Sequence, residues 1–365
     1  MTTLSPRTIN RATLARQHLL ARTEQTAVDM AEHLVGLQAQ APFPPYTGLW
    51  TRLAGFQPEE LAAALVDRQV VRIALMRGTV HLVSAADACF LRPLVQPLYD
   101  RDLRTNIQHA RHLTGLDLAK VADATRLVLA ERPHNTRELG ATLAEHWPDR
   151  DAAALTHAAR GLLPLVQVPP RAVWGRSGQT AYQTAEHWLG RELDRSPDPK
   201  RMITRYLNAF GPASVADIQT WAGLTRLREI VETLDLRTFH TADGRELYDL
   251  PDAVLPDEDT PAPARFIPEF DNVLLSYADR TRIIAEDHRK RLFGVKNGVF
   301  PGTFLVDGFV RGSWRVAKER KSAVLTITPW ARTTRKDLTA LTREGLRLLD
   351  FLAPAAETKD VRIDA

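Results

Sequence analysis

Gln38-Ala39-Gln40 places two amides on either side of a small residue, just ahead of Pro42, Pro44 and Pro45. An amide is donor and acceptor but essentially nonbasic near neutral pH, so this pair can orient a water, a sugar or a base edge without carrying a proton. The preceding Val28, Ala31, Leu34 and Val35 follow the three-and-four spacing of a buried helix face. That spacing predicts a helix over about 26–38, with Gln38 inward, where its amide must be hydrogen-bonded. In a continuing helix Gln40 points the other way; in an extended exit the two amides share a side. Pro42 biases Ala41 away from helical dihedrals, which favours a helix end with both amides aimed into one cleft. A solvated terminus has the same spacing, so the motif takes its meaning from its surroundings.

Most other chemistries are missing. There is no HExxH or Cys/His ligand spacing, no Gly-rich phosphate loop and no nucleophile elbow. His109 and His112, three apart in a very polar stretch, read as a solvated helix face. Asp271 and Asp279 read as structural or surface acids. The single cysteine, Cys89, excludes a disulfide framework and a cysteine-based zinc site and fits a reducing cytoplasm. No cofactor is expected. With 365 residues, 44% apolar and 25% charged, the chain reads as a soluble globular protein of two to four domains. No apolar run is long enough for a signal core or a membrane span, so neither export nor membrane insertion is expected.

The net charge of +4 is small, but its distribution is uneven. Residues 279–321 carry eleven Lys/Arg against five acids, whereas 243–260 carry seven acids against Arg245. A local basic field of this kind attracts phosphates or another acidic partner.

Helices followed by β-prone pairs recur along the first 250 residues. Ser5-Pro6 reads as an N-cap with proline at the first helical position. Helices follow at about 26–38 and 58–67, then the runs Val70–Met76 and Thr79–Val83 joined at Arg77-Gly78. A second copy has helices over 117–131, Thr136–Ala144 and from Asp151 to near Pro164, then strands in Val166–Val168 and Arg171–Tyr182. A third has helices near 198–210, 214–222 and 225–234, with a hairpin turning at Asp243-Gly244. Three weak copies of one unit imply an array. The expected organisation is α+β, mainly α: three tandem winged-helix domains (1–115, 116–196, 197–250), a linker over 251–263, and a β-rich domain over 264–365. The last domain should have strands at Val299–Phe304, Val306–Val310, Ser313–Ala317 and Ala323–Thr328, a hairpin tip at Lys318-Glu319-Arg320-Lys321 and a helix over about 334–352. The final dozen residues are expected to be disordered.

Four stretches then carry a resemblance. They are Asn10-Arg11-Ala12-Thr13-Leu14-Ala15-Arg16-Gln17, Gly36-Leu37-Gln38-Ala39-Gln40-Ala41-Pro42, Met76-Arg77-Gly78-Thr79-Val80-His81-Leu82-Val83 and Pro268-Glu269-Phe270-Asp271-Asn272-Val273-Leu274-Leu275-Ser276. In matching order along nearly the whole chain, they resemble the bacterial winged-helix DNA glycosylases of the AlkZ/YcaQ type. The other branch of that family has Gln-x-Asp where this chain has Gln-x-Gln, so Gln40 is similar to the azinomycin-resistance branch, whose members unhook interstrand crosslinks. The resemblance implies a monofunctional glycosylase acting on N7-alkylated purines in double-stranded DNA; several modules in one chain suggest a monomer, and a cytoplasmic, nucleoid-associated location is expected. Gln38 and Gln40 are the implied catalytic pair. Arg311, Arg315, Lys318, Arg320 and Lys321 are candidates for gripping DNA, and Arg77 and His81 for bordering the same cleft. Two rivals remain open: a winged-helix transcriptional regulator without catalysis, and a resistance protein that sequesters the alkylating compound itself.

Overall fold

The computed structural model describes residues 2–294 and 300–364 and is a mixed helix-and-sheet architecture. Lys296 and Val299, counted above in the basic segment and a strand, lie outside the described residues.

The opening helix, Pro6–Arg16, is capped by Ser5, whose hydroxyl accepts from the Thr8 amide. Its Asn10 donates to the carbonyls of Arg282 and Gly308, both at 2.8 Å, and Arg11 pairs with Asp307. The conspicuous polar residues near the N-terminus therefore tie the first helix to the Asp307-Gly308 turn of the C-terminal sheet. Gly308 has φ +80°, and a Cβ there would meet Asn10 Oδ1 at 2.5 Å, so the turn requires glycine twice over.

The helix expected over 26–38 is much shorter, Ala27–His33. Val35 adopts φ 52° and Gly36 φ 95°. The Gly36 amide reaches Ala31 O (2.8 Å) and the Val35 amide Glu32 O (3.1 Å), the paired bonds of a Schellman stop. Leu37–Gln38 then continues as a strand antiparallel to Val80–Ser84. Gly36 was the stop signal, and a β-branched Val35 in the left-handed region is a strained conformation beside it. Pro44-Pro45 does not close an element: it opens a helix, Pro44–Arg52.

Helices followed by strand pairs do recur three times, but the strands are shared. The Val70–Ala74/Val80–Ser84 hairpin pairs with Leu165–Gln167 from the second group, so strands of residues 1–115 and 116–196 form one six-stranded sheet with Leu37–Gln38 at its edge. The third hairpin, Arg237–Thr241/Glu246–Asp249, is joined in parallel by Thr2–Leu4. Residues 251–263 contain no helix or strand.

In the C-terminal five-stranded sheet, the expected strand 306–310 is split by the Asp307-Gly308 turn: Val306 ends Gly302–Val306, and Phe309–Lys318 is one strand that includes 313–317, with a register shift against Gly302–Val306. Ser322–Pro329 and the Arg335–Leu352 helix follow. The terminal segment is not disordered: Thr358–Ile363 adds a strand parallel to Ser322–Pro329 over six residue pairs. A polar, half-exposed edge strand lacks the apolar alternation by which strands are read from sequence, while its backbone hydrogen bonds depend only on a free sheet edge.

Candidate active site

The backbone of the two-glutamine segment is pinned from both sides. The Ala39 amide donates to Val80 O (2.7 Å), and its carbonyl accepts from Arg72 Nη2 (2.7 Å). Arg72 is 1% exposed, and burial pushes its guanidinium down to about 10. A charged residue inside the apolar run Val70-Val71-Arg72-Ile73-Ala74 was the sequence signal for this support.

Gln38 is buried, with 7% exposure, and its Oε1 accepts from Arg77 Nη2 at 2.7 Å. Arginine has only donors, so this contact assigns the amide orientation: the carbonyl faces Arg77 and the amino group faces away. Arg77 also donates to Trp221 O (2.9 Å) and to Asn272 Oδ1 (3.3 Å), and Asn272 Nδ2 returns to Gly36 O (2.8 Å). Arg77 therefore ties the Gln38 amide to the segments that carry Trp221 and Asn272. His81 completes the support. It is 0% exposed, and its Nδ1 lies 3.0 Å from Thr79 O, a contact only a protonated Nδ1 can make. Its unprotonated Nε2 is left facing Arg77 at 3.5 Å. Burial and the neighbouring Arg77 push His81 down to about 3, so it is neutral. Of the two residues expected to border the cleft, Arg77 is half-buried and held by protein acceptors around Gln38, and His81 is fully buried beside it.

Gln40 sits in a different environment. It is exposed, and its Oε1 accepts from the Val80 amide at 3.3 Å. Gln38 is buried and Gln40 exposed, so the two do not share one buried pocket. Beside Gln38 lies a small cavity of about 10 Å³, bounded by Pro44, Pro268, Glu269 and the Arg52–Asp271 pair. Glu269 also lines the adjoining cleft of about 590 Å³, whose walls include Phe43, Trp174, Trp314 and Lys318. Trp174 reaches this cleft from the second helical group because the Tyr46 hydroxyl bridges Ala172 O (2.7 Å) and the Trp174 amide (3.1 Å). Glu269 makes no hydrogen bond or ion pair among the described residues, and burial raises its carboxyl above the usual range.

Residues 31–351 match the family described as DNA glycosylase AlkZ-like. The chain belongs to that family. Its chemistry is accordingly that of a DNA glycosylase, a hydrolase acting on N-glycosyl bonds. An interstrand DNA cross-link repair glycosylase of Streptomyces sahachiroi is 24% identical, over 91% of this chain and 92% of that protein. The solved structure of Streptomyces sahachiroi DNA glycosylase AlkZ shares the fold, with a TM-score of 0.79 at 20% identity over the whole of both chains. Among the described residues, no helix is long and apolar enough to cross a membrane, and no His/Cys/Asp/Glu group is placed to hold a metal.

Within this glycosylase the five hairpin cations are all exposed but do not share a face. Arg311 occupies the register shift of its strand, and its guanidinium lies 6.0 Å from the Phe309 ring centre. Arg315 lies 3.9 Å from Asp364, and Lys321 2.8 Å from Glu357. Strand alternation puts Lys318 on the side of Trp314, where it lines the cleft and donates to Leu352 O (2.6 Å). Arg320, at the tip, has no ion-pair partner among the described residues. Elsewhere in the basic segment Arg282 is buried against Asp217 (3.4 Å) and Arg289 pairs with Glu286 (2.6 Å), so part of its charge is neutralised within the fold. Asp279 pairs with Arg245 (2.6 Å), and His109 stacks on His157 with ring centres 4.5 Å apart.

Buried His81 and half-buried His18 and His33 are expected to make the fold acid-sensitive. Burial holds His81 at about 3, His18 at about 4 and His33 below its usual value. The unfolded chain takes up these protons near pH 6.5 and the folded chain does not, so stability is present above pH 6.5 and declines as pH falls below it. By pH 4.5 His81 alone should contribute a loss of about 2–3 kcal/mol, partly offset by Glu269, whose raised value acts in the opposite sense. The urea midpoint at pH 4.5 should lie well below that at pH 7.5; equal midpoints would contradict the burial of neutral histidines.

Proposed function

We propose that this glycosylase hydrolyses the N-glycosidic bond of N7-alkylated purines in duplex DNA, including purines tethered to the opposite strand by an interstrand crosslink. The observation that carries the reading is the Gln38 amide, oriented by Arg77 beside a small cavity that adjoins the larger cleft through Pro44, Pro268 and Glu269. Glycoside hydrolysis passes through an oxocarbenium-like state and ordinarily needs an acid for the leaving group. Alkylation at N7 makes the purine cationic, so it departs as a neutral base without being protonated. Two amides suit that substrate, because its departure needs no proton donor.

In this reading the three helix-and-hairpin groups are winged helices in tandem, and the protein acts as a monomer on DNA. A crosslinked purine cannot swing freely into a deep pocket as a single flipped base does. A cleft open to the duplex accepts it with little extrusion. Arg311, Arg315, Arg320 and Lys321 contact phosphates from the hairpin, which fixes register without reading sequence, while Lys318 faces the cleft. The Streptomyces sahachiroi relative, named as a cross-link repair glycosylase, supports the crosslink as a substrate.

The test is base release from a duplex containing one N7-methylguanine, and from one containing an N7–N7 interstrand crosslink, each followed by alkaline cleavage. Abasic-site formation on both is expected. Tight binding to undamaged DNA with no release from either duplex would overturn the reading in favour of a regulator.

A further inference from the structure

Gln38 cannot be the only group acting on the hydrolytic water. Its carbonyl oxygen already accepts from Arg77, and its amino group makes no hydrogen bond among the described residues. Gln40 is arranged alike, its carbonyl accepting from the Val80 amide. A water that accepts hydrogen bonds from amide N–H groups is oriented but not made more nucleophilic. Its protons need an acceptor, and neither glutamine offers a basic one.

The cavity beside Gln38 has space for about one water molecule. Three charged residues border it. Arg52 and Asp271 neutralise each other through two 2.8 Å hydrogen bonds, and Asp271 also caps the Asn272–Leu275 helix. The third is Glu269, which has no partner among the described residues and faces both this cavity and the open cleft. The next residue, Phe270, takes φ 59° and packs on Phe300 with ring centres 4.7 Å apart. A bulky residue in the left-handed region indicates a backbone position imposed by its surroundings.

We propose that Glu269 is the proton acceptor for the hydrolytic water, which occupies the cavity between its carboxylate and the Gln38 amide. The inference rests on the glycosylase reading above and adds a catalytic residue to it. The water oxygen forms a bond to C1′ as the C1′–N9 bond breaks. The electron pair of that bond passes to the purine and cancels its alkyl-purinium charge. The water proton passes to the Glu269 carboxylate and from there through the cleft to solvent. Before the proton moves, the carboxylate's negative charge also offsets the cation developing on the sugar. Burial without a cationic partner raises its proton affinity, the direction that improves a carboxylate as a base. Lys318, the other ionisable group on the cleft wall, is held away at Leu352 O.

Single-turnover release of N7-methylguanine, measured from pH 5 to 8 for wild type, Glu269→Gln and Glu269→Asp, tests this. Circular dichroism at each pH confirms that the fold persists. The wild-type rate should fall on acidification with an apparent pKa above that of an ordinary glutamate. Glu269→Gln should lower the plateau by about 10²-fold or more and abolish that acid limb, and Glu269→Asp should restore part of both. A second readout does not depend on turnover. Duplexes carrying a cationic pyrrolidine abasic analogue should bind Glu269→Gln at least tenfold more weakly than wild type, while those carrying the neutral tetrahydrofuran analogue should bind both alike. A Glu269→Gln enzyme with the wild-type rate and pH profile and no loss of cation preference would overturn the assignment alone. Absence of release by wild type would overturn it together with the functional reading.

Discussion

Replacing Gln38 by alanine is expected to lower base release by about 10²-fold or more, the scale of effect set by positioning of a reacting group. Affinity for undamaged duplex should change less than twofold, because Gln38 is 7% exposed and its partners are internal. Gln40→Ala should also reduce release, and the double variant should be nearly inactive. The substitutions differ in their structural consequences. Removing the Gln38 amide leaves Arg77 Nη2 with only Asn272 at 3.3 Å and His81 at 3.5 Å, in a site that already lowers its pKa to about 10. Gln38→Ala should therefore also lower stability, since a half-buried charged group loses its shortest hydrogen bond, whereas exposed Gln40 should be close to neutral. Release assays, DNA-binding titrations and urea midpoints on the same three proteins check the set. Retained release by the double variant would remove the glutamines from the mechanism.

The second large effect concerns the pair beneath the site. Arg52 is 1% exposed and Asp271 is 7% exposed, and the two meet through paired 2.8 Å hydrogen bonds, with Arg52 also donating to Gln17 Oε1 and Gly48 O. Asp271→Ala leaves a buried guanidinium without its counter-charge and removes the cap of the Asn272–Leu275 helix. A loss of about 3–5 kcal/mol is expected, large against the net stability of a protein domain. An exposed pair such as Arg195–Glu192 supplies the control, since its disruption should change stability by less than about 1 kcal/mol. Denaturant unfolding of the two variants distinguishes the cases; an Asp271→Ala protein as stable as wild type would show that Arg52 finds water or another partner. Since Asp271 and Asn272 are adjacent, the same change should loosen Arg77 and reduce base release in the fraction that remains folded.

Some of this protein was legible residue by residue. The caps at Ser5 and Asp151, the hairpin at Arg77-Gly78, the Asp243-Gly244 turn and the basic tip at Lys318–Lys321 depend on dihedral preferences and local hydrogen bonds, which neighbouring residues determine; the cap of the Thr136–His146 helix falls one residue earlier than Thr136, on Asn135. The glutamine motif and its family resemblance could likewise be read from types and order. Apolar spacing overstates the second helix because it continues past His33, whereas the chain leaves the helix through a left-handed Val35-Gly36 stop, at which a Cβ on Gly36 would stand 2.6 Å from Val83. Which way Gln38 points, that Trp221 and Asn272 hold the arginine that orients it, and that Glu269 shares its cavity were decided only by tertiary packing. The physical reason is separation: these groups lie 39 to 234 positions from Gln38 in the chain, so no local preference couples them. They meet because burying donors and charges obliges each to find a partner wherever the folded chain supplies one.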